Sequence, residues 1–368
     1  RSHYFFPIDA RPNGEVFAQT LLPALGRHRV VVRLLAARAM FKLQRGDRDG
    51  AWHDLRTAYR LPSLIAEPML IPDLVAVSIE ALLAESLKVL VIEGNLSEAQ
   101  LWRILNDYGQ IRPRPPIQRA LSTAERFAML DELTTFKNSC LEGVRGNIEG
   151  AGTLNEAQAS QIEILLDPNY VLRELNRLFD DLIRACELDT YARRTAAYDV
   201  FDRRIMAAAD RLSEWMKSRD RNMTSVLLAR AMEQPIGERR ERFNKDLVDC
   251  LIYLALPALS AAPRNDELAR MNFELTRVTL ALAVYRARHG RYPAALSDLS
   301  PEILKHVPLD RFSGQPLHYR TDGDGYLLYS VSKNMKDDGG TFRTEAEPTF
   351  ADVAVHVENG RFVDRESR

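Results

Sequence analysis

Residues 266–293 read DELARMNFELTRVTLALAVYRARHGRYP, and this stretch decides the architecture of the C-terminal part of the chain. Apolar residues recur at helical spacing along one side of it: Leu268, Met271, Leu275, Val278, Leu282 and Tyr285. This spacing predicts one long helix. Asp266 is placed to cap its start, and Gly290 ends it because glycine readily adopts the positive φ of a helix C-terminus.

Short β-branched or aromatic segments follow the predicted helix, separated by glycine and aspartate turns: Pro316–Arg320, Tyr326–Val331 and Asp352–Val357. The sequence Thr321-Asp-Gly-Asp-Gly325 predicts a hairpin loop between the first two, because Asp-Gly supplies the turn geometry. We therefore predict a small α+β module over residues 263–368, in which the long helix packs on an antiparallel sheet.

The preceding residues, 1–260, predict an all-α domain, because they contain helical periodicity and no long alternating run. Residues 30–61 form two periodic segments around a Gly46-Asp47 break, and this unit resembles a tetratricopeptide-type helical hairpin. Since no period near 34 residues follows, we expect a bundle or a short solenoid of helical hairpins rather than a repeat array.

Residues 109–118 contain the proline-rich run Arg112-Pro-Arg-Pro-Pro-Ile117, which cannot be helical because proline lacks the amide donor and restricts its neighbour. The run predicts a rigid, solvated linker. A docking motif for a proline-binding module is the alternative.

The composition is that of a globular protein, with 46% hydrophobic and 27% charged residues in 368. The formal net charge of −1 indicates no nucleic-acid partner. Three cysteines (Cys140, Cys186 and Cys250) give no disulfide framework, and we expect reduced core thiols. No segment is apolar for the roughly 20 residues that a spanning helix needs.

The C-terminal part resembles the major pseudopilins of type II secretion. The helix exit from Ala283 to Pro293, followed by Leu296 and Leu299, is similar to the aliphatic-Tyr segment that runs into Asn-Gly-Arg-Tyr-Pro in that family. The family's later motifs have counterparts in the same order: Val307-Pro-Leu-Asp310, Phe312, Gly314, Pro316, Tyr319, Tyr326, Leu328, Ser330, Asp337-Asp338 and Asp352-Val353. The whole chain also resembles uncharacterised envelope proteins of planctomycete-type bacteria.

The resemblance implies a structural Ca²⁺ held in the loop between the last strands. The residues with suitable side-chain oxygens are Ser332, Asn334, Asp337, Asp338 and Asp352, and Ca²⁺ prefers such oxygen ligands. Lys333 and Lys336 depart from the family pattern because they place positive charges in this loop. A plain acidic turn without metal is the alternative.

Phosphate-binding glycine loops, nucleophile elbows and zinc-binding His-Glu-x-x-His motifs do not occur in the sequence. Since these motifs are missing and the resemblance to pseudopilins implies an assembly protein of the cell envelope, we expect a non-enzymatic, extracytoplasmic structural or protein-interaction module with a protein partner. We expect its only membrane link to be an anchor helix upstream of Arg1. The alternatives are an enzyme with a site between the helical domain and the C-terminal module, and a cytoplasmic helical-repeat adaptor.

Overall fold

The computed structural model describes residues 17–66, 69–128, 133, 156–217, 223–340 and 353–363. In these ranges the chain is mainly helical and ends in a small antiparallel sheet, which confirms the predicted fold class at this level. The helices are α1 Phe17–Gln44, α2 Arg48–Ala58, α3 Leu61–Ile65, α4 Leu70–Glu93, α5 Glu98–Gly109, α6 Ile117–Ser122, α7 Glu156–Leu165, α8 Pro168–Cys186, α9 Tyr191–Lys217, α10 Met223–Met232 and α11 Arg239–His289. Among them, none combines the length and the apolar character that a membrane span requires.

Local signals in the sequence set several helix ends. Asp47 caps α2 by accepting a hydrogen bond of 2.9 Å from the Gly50 backbone amide. Ser97 and Gln100 form the capping box that begins α5. Gly290 ends α11 with a φ of 71°, as predicted.

The sheet is a four-stranded antiparallel meander in the order β1-β2-β3-β4. Its strands are β1 His318–Asp322, β2 Gly325–Ser330, β3 Val353–Glu358 and β4 Arg361–Phe362. The β1–β2 hairpin turns at Gly323, within the predicted loop, with a φ of 54°. The sequence analysis missed β4, whose two residues are too few for a periodic signal.

The helix α11 is longer than predicted. It is continuous over 51 residues and passes through the proposed boundary between residues 260 and 263. Asp266 therefore lies inside the helix and does not cap it. Pro263, in the helix interior, lacks the amide of one helical hydrogen bond, so the local preference is to stop. Tertiary contacts on both sides of this point override that preference, because different helices pack on the two halves.

Two hydrophobic cores share α11 and divide the chain differently from the predicted domains. The terminal core takes its buried side chains from residues 32–108 and 271–357, with Tyr191 added. The central core takes them from residues 117–262, with Leu70 added. The two ends of the chain thus build one core together, and the middle of the chain builds the other.

The C-terminal sheet packs against the N-terminal helices. The backbone amide of Phe362 in β4 donates to Glu93 at the end of α4 over 3.2 Å. Lys88, one turn earlier, is 1% exposed and donates to Glu85 on its own helix and to Asn272 on α11. The C-terminal α+β part therefore packs against the N-terminal helices, and the two share the terminal core.

A buried arginine lies where the two cores meet. Arg114, in the proline-rich segment, donates to Asp73 Oδ1 over 2.5 Å, to Glu80 Oε2 over 2.9 Å and to Asp266 Oδ1 over 2.9 Å. Its side chain is only 2% exposed. The segment is solvated only in part, because Arg112, Pro113 and Pro116 are exposed while Arg114 is buried.

Two of the carboxyl groups around Arg114, Asp73 and Glu80, are held in an environment that favours their neutral forms. Burial raises the pKa of Asp73 and of Glu80, although Arg114 lowers both. Burial also opposes the charge of Arg114, but Glu80, Asp73 and Asp266 together raise its pKa above the ordinary value. Arg114 thus offsets part of the cost of burying the Asp73 and Glu80 carboxylates.

Further ion pairs surround the two turns of α11 that contain Asp266. We call these two turns the charged segment (residues 264–270). Arg264 pairs with Asp199 and Asp202 of α9, each at 2.9 Å. Glu267 accepts from Arg194 of α9 at 3.2 Å and from Arg311 at 2.8 Å. The charged segment thus connects α9, the proline-rich segment, α4 and the loop before the sheet.

Replacing Arg114 by methionine tests the buried cluster. We expect Arg114→Met to lower the free energy of unfolding by about 3–5 kcal/mol, because Asp73 and Glu80 lose their counter-charge and Asp266 keeps only Arg270, at 2.8 Å. The measurement is equilibrium denaturation at neutral pH. The control is Arg112→Met in the same segment, whose side chain is exposed and whose replacement costs roughly 0.5 kcal/mol or less. Equal losses in the two variants would contradict the role of Arg114.

Candidate functional site

The acidic loop that follows β2 lies over the outer face of the sheet. Leu327 and Tyr329 of β2 form a small buried cluster there with Ala354 of β3. Gly340 closes over them with a φ of 77°, and a Cβ at this position would stand 2.7 Å from Leu327 Cδ2. Glycine is favoured at this position, because residues with a side chain rarely adopt this positive φ and a Cβ would press on the ends of Leu327 and Tyr329.

The predicted calcium ligands in this loop have partners within the protein. Asp337 accepts from the Tyr329 hydroxyl at 2.8 Å and from the Gly339 amide at 2.9 Å. These two hydrogen bonds lower its pKa, with the Gly339 amide having the larger effect. Asn334 donates its side-chain amide to Asp338 at 2.7 Å.

This arrangement does not gather a calcium shell from the described residues. The structure groups no three His, Cys, Asp or Glu side chains at metal-binding reach in the ranges that it describes. Ser332 is buried with a φ of 57°, and Asn334 directs an N–H rather than an oxygen toward Asp338. Asp352 lies outside the described residues. Calcium at this loop stays a prediction of the sequence resemblance.

Asp310 fixes the start of the loop. This carboxylate is 1% exposed and accepts three hydrogen bonds: from the Ser330 hydroxyl at 2.9 Å, the Val331 amide at 2.9 Å and the Phe312 amide at 2.8 Å. It therefore joins the loop before β1 to the end of β2. The sequence analysis identified Asp310 only as a motif residue and did not assign it this role.

Lys333 extends from the loop to α11 and helps to form a cleft between the two cores. Its ammonium donates to Asn265 Oδ1 at 2.8 Å. The cleft has a volume of about 390 Å³ and is lined by α9, by the middle of α11 and by this lysine: Asp202, Ile205, Met206, Ser260, Ala261, Arg264, Asn265 and Lys333. Here a cleft and an ionisable group meet at a junction of elements, which is the usual setting of a binding site.

Two cations and two carboxylates lie at the cleft, but their ion pairing is uneven. Arg264 pairs with both Asp199 and Asp202, and it also lies over the Tyr198 ring, 5.2 Å from the centroid. In the part of the chain that the structure describes, no carboxylate pairs with Lys333. Burial lowers the pKa of Lys333, and the neighbouring Arg264 lowers it further. A bound anion would remove this penalty, because it would supply the missing counter-charge.

The apolar side of the cleft is formed by Ile205, Met206 and Ala261. Met206 is 67% exposed, and its flexible side chain adapts well to different surfaces. The cleft therefore offers one cation without a described ion-pair partner beside an exposed apolar wall. The sequence could not reveal it, because its lining residues come from three separate segments.

Removing the carboxylate of Asp310 tests how the loop is held. We expect Asp310→Ala to lower the free energy of unfolding by about 3 kcal/mol, because three buried donors lose a charged acceptor. Chemical denaturation of the purified variant measures this. Asp322→Ala, at an exposed end of β1, is the control and should change the value by roughly 0.5 kcal/mol or less. A loss under 1 kcal/mol for Asp310→Ala, on the scale of an ordinary single contact, would refute the anchoring role.

No protein-family model, no curated protein and no solved structure matches this chain. The resemblance to major pseudopilins therefore rests on the residues quoted for it in the sequence. The function is argued below from the contacts and charges of the described residues.

Proposed function

We propose that this protein is a non-enzymatic, extracytoplasmic structural or protein-interaction module whose cleft holds an acidic segment of a protein partner. The observation that carries the proposal is Lys333, whose ammonium lies in the cleft without a described carboxylate partner. An Asp, a Glu or a terminal carboxylate of a partner would pair with it, while the partner's apolar side chains would lie against Met206.

The C-terminal part supports the pseudopilin-like component of the proposal. The resemblance implies a long helix followed by an antiparallel sheet that packs on it. Here α11 contacts β2 and β3, and the Arg-Tyr-Pro exit after Gly290 leads into the sheet. Tyr319 of β1 donates its hydroxyl to the Pro293 carbonyl at 2.9 Å, so two of the motif residues contact each other.

The N-terminal part supports the interaction-module component. Helices α1 and α2 pack on each other across the Gly46-Asp47 turn, and both also pack against α4. Layered helices of this kind present extended surfaces to partners, as tetratricopeptide-type hairpins do. We therefore keep a short solenoid of hairpins as the description of this region in the proposal.

The extracytoplasmic location and the upstream anchor are carried by the pseudopilin resemblance. A protease-accessibility assay tests the location directly. A protease added to cells whose outer envelope has been opened should digest the protein, and a cytoplasmic marker protein should survive. Protection of the protein to the same extent as the marker would instead favour the cytoplasmic adaptor.

Photocrosslinking from the cleft tests the binding proposal. A photoreactive benzoylphenylalanine replaces Met206 in the full chain, in the organism that encodes it. We expect one discrete adduct with a partner protein, and we expect Lys333→Glu to reduce it about tenfold, because the substitution replaces attraction by repulsion of an acidic segment. Gel electrophoresis of the adducts gives the readout.

The matched control places the same photoreactive residue at Ile236, which is also strongly exposed at 83% and lies outside the cleft lining. It should give no such adduct. An adduct at Met206 that persists in the Lys333→Glu background, or an equal adduct from Ile236, would rule out the cleft as the partner site. Turnover of a small metabolite that is lost in Lys333→Met would favour the enzyme alternative.

Calcium stabilisation is a separate part of the proposal. If the loop binds Ca²⁺, millimolar Ca²⁺ should raise the thermal midpoint relative to chelator, because a ligand that binds only the folded state stabilises it. Asp338→Asn should abolish the rise, whereas Asp322→Asn should retain it. Identical midpoints in Ca²⁺ and in chelator would remove calcium from the account and leave the hydrogen-bonded acidic turn.

A further inference from the structure

The outer face of α1 carries large apolar side chains in an exposed position. Val30 is 54% exposed, Val31 47%, Leu34 65% and Phe41 57%. Such residues are unremarkable when they occur singly on a surface, but these four lie within three turns of one helix. The opposite side of the same helix is buried in the terminal core through Val32, Ala36 and Ala39.

The same helix is strongly cationic. Residues 16–46 contain six Lys or Arg and no Asp or Glu: Arg27, Arg29, Arg33, Arg38, Lys42 and Arg45. Asp54 of α2 pairs with Arg38 at 2.7 Å and with Lys42 at 3.0 Å. For the other four arginines, the described part of the chain provides no ion-pair partner within 4 Å. Excess positive charge therefore collects on a chain whose net charge is only −1.

The cations and the apolar residues share one face. At 100° per residue, Arg27, Arg38 and Arg45 fall within about 40° of Leu34, and Phe41 and Val30 fall on its other side within the same angle. The Arg45 guanidinium lies 5.5 Å from the centroid of the Phe41 ring. The outward face of α1 is thus a stripe of alternating arginine and apolar side chains.

We propose that this face of α1 docks on an anionic lipid surface, with the helix lying parallel to the bilayer plane. Val30, Leu34 and Phe41 would enter the boundary between headgroups and acyl chains, while the arginine side chains would extend to the lipid phosphates. The binding is peripheral and does not depend on the cleft at Lys333.

The charge pattern selects lipid over two other occupants. A second copy of the chain would bring two cationic faces together, which repel each other. A hydrophobic protein groove would need a contiguous apolar stripe, but here Arg38 lies beside Leu34 and Arg45 lies beside Phe41. A lipid surface accepts both kinds of side chain along one line, because phosphate and acyl regions lie a few ångströms apart.

Flotation of the full chain with vesicles tests this proposal. The probes are vesicles of pure phosphatidylcholine and vesicles containing 30% phosphatidylglycerol. We expect binding only to the anionic vesicles, with a partition coefficient that falls steeply as salt rises. Arg27→Glu and Phe41→Ser should each weaken binding roughly tenfold, because one reverses a charge on the lipid-facing stripe and the other removes an inserted ring.

The controls make the same substitutions on other exposed surfaces. Arg203→Glu and Ile236→Ser alter exposed residues outside α1 and should leave binding unchanged. Circular dichroism of every variant shows whether the fold is kept. Absence of binding to anionic vesicles, or equal effects of Arg27→Glu and Arg203→Glu, would overturn the proposal. So would a salt-resistant dimer that Arg27→Glu dissociates, because α1 would then be a protein interface.

Discussion

The buried contact between Arg114 and its three carboxyl groups is the constraint on which the arrangement of the two cores depends. It brings together α4, the proline-rich segment and the middle of α11, which are far apart in the sequence. Burying four ionisable groups is costly, and removing one partner leaves the others uncompensated. The three prolines around Arg114 reduce this cost, because they restrict the backbone of the segment to extended conformations and so limit the positions of the arginine side chain.

The cleft follows from this arrangement. Residues 264–270 of α11 are fixed on one side by Arg114 and on another by α9, so Asn265 is held at the position where Lys333 reaches it. Asp310 holds the start of the loop that carries Lys333, since it accepts hydrogen bonds from the last residue of β2 and from the residue after it. The lysine of the cleft is therefore positioned by two buried carboxylates, Asp266 and Asp310, that do not touch it.

Local features were predictable from sequence and long-range ones were not. The helix starts at Asp47 and Ser97 follow from side chains that bond backbone groups three residues away, and the helix end at Gly290 and the β1–β2 turn follow from glycines with positive φ. The predicted helix break near Pro263 was wrong because local proline preference was weaker than packing on both sides. The contacts of Arg114 and Lys333 could not be predicted, because their partners are distant in sequence. The partners of Arg114 are 34 to 152 residues away, and Asn265 is 68 residues from Lys333. The predicted calcium ligands lie in one loop, but their hydrogen bonds to Tyr329 and Gly339 depend on how that loop folds on the sheet.

Hydrogen exchange of the whole chain, compared between the native sequence and Arg114→Met, tests most directly whether one buried arginine holds both cores. The account predicts faster exchange in α4 and in the middle of α11 together, because both lose the same counter-ion and open as a unit. Faster exchange confined to residues 112–116, with α4 and α11 protected as in the native sequence, would contradict it.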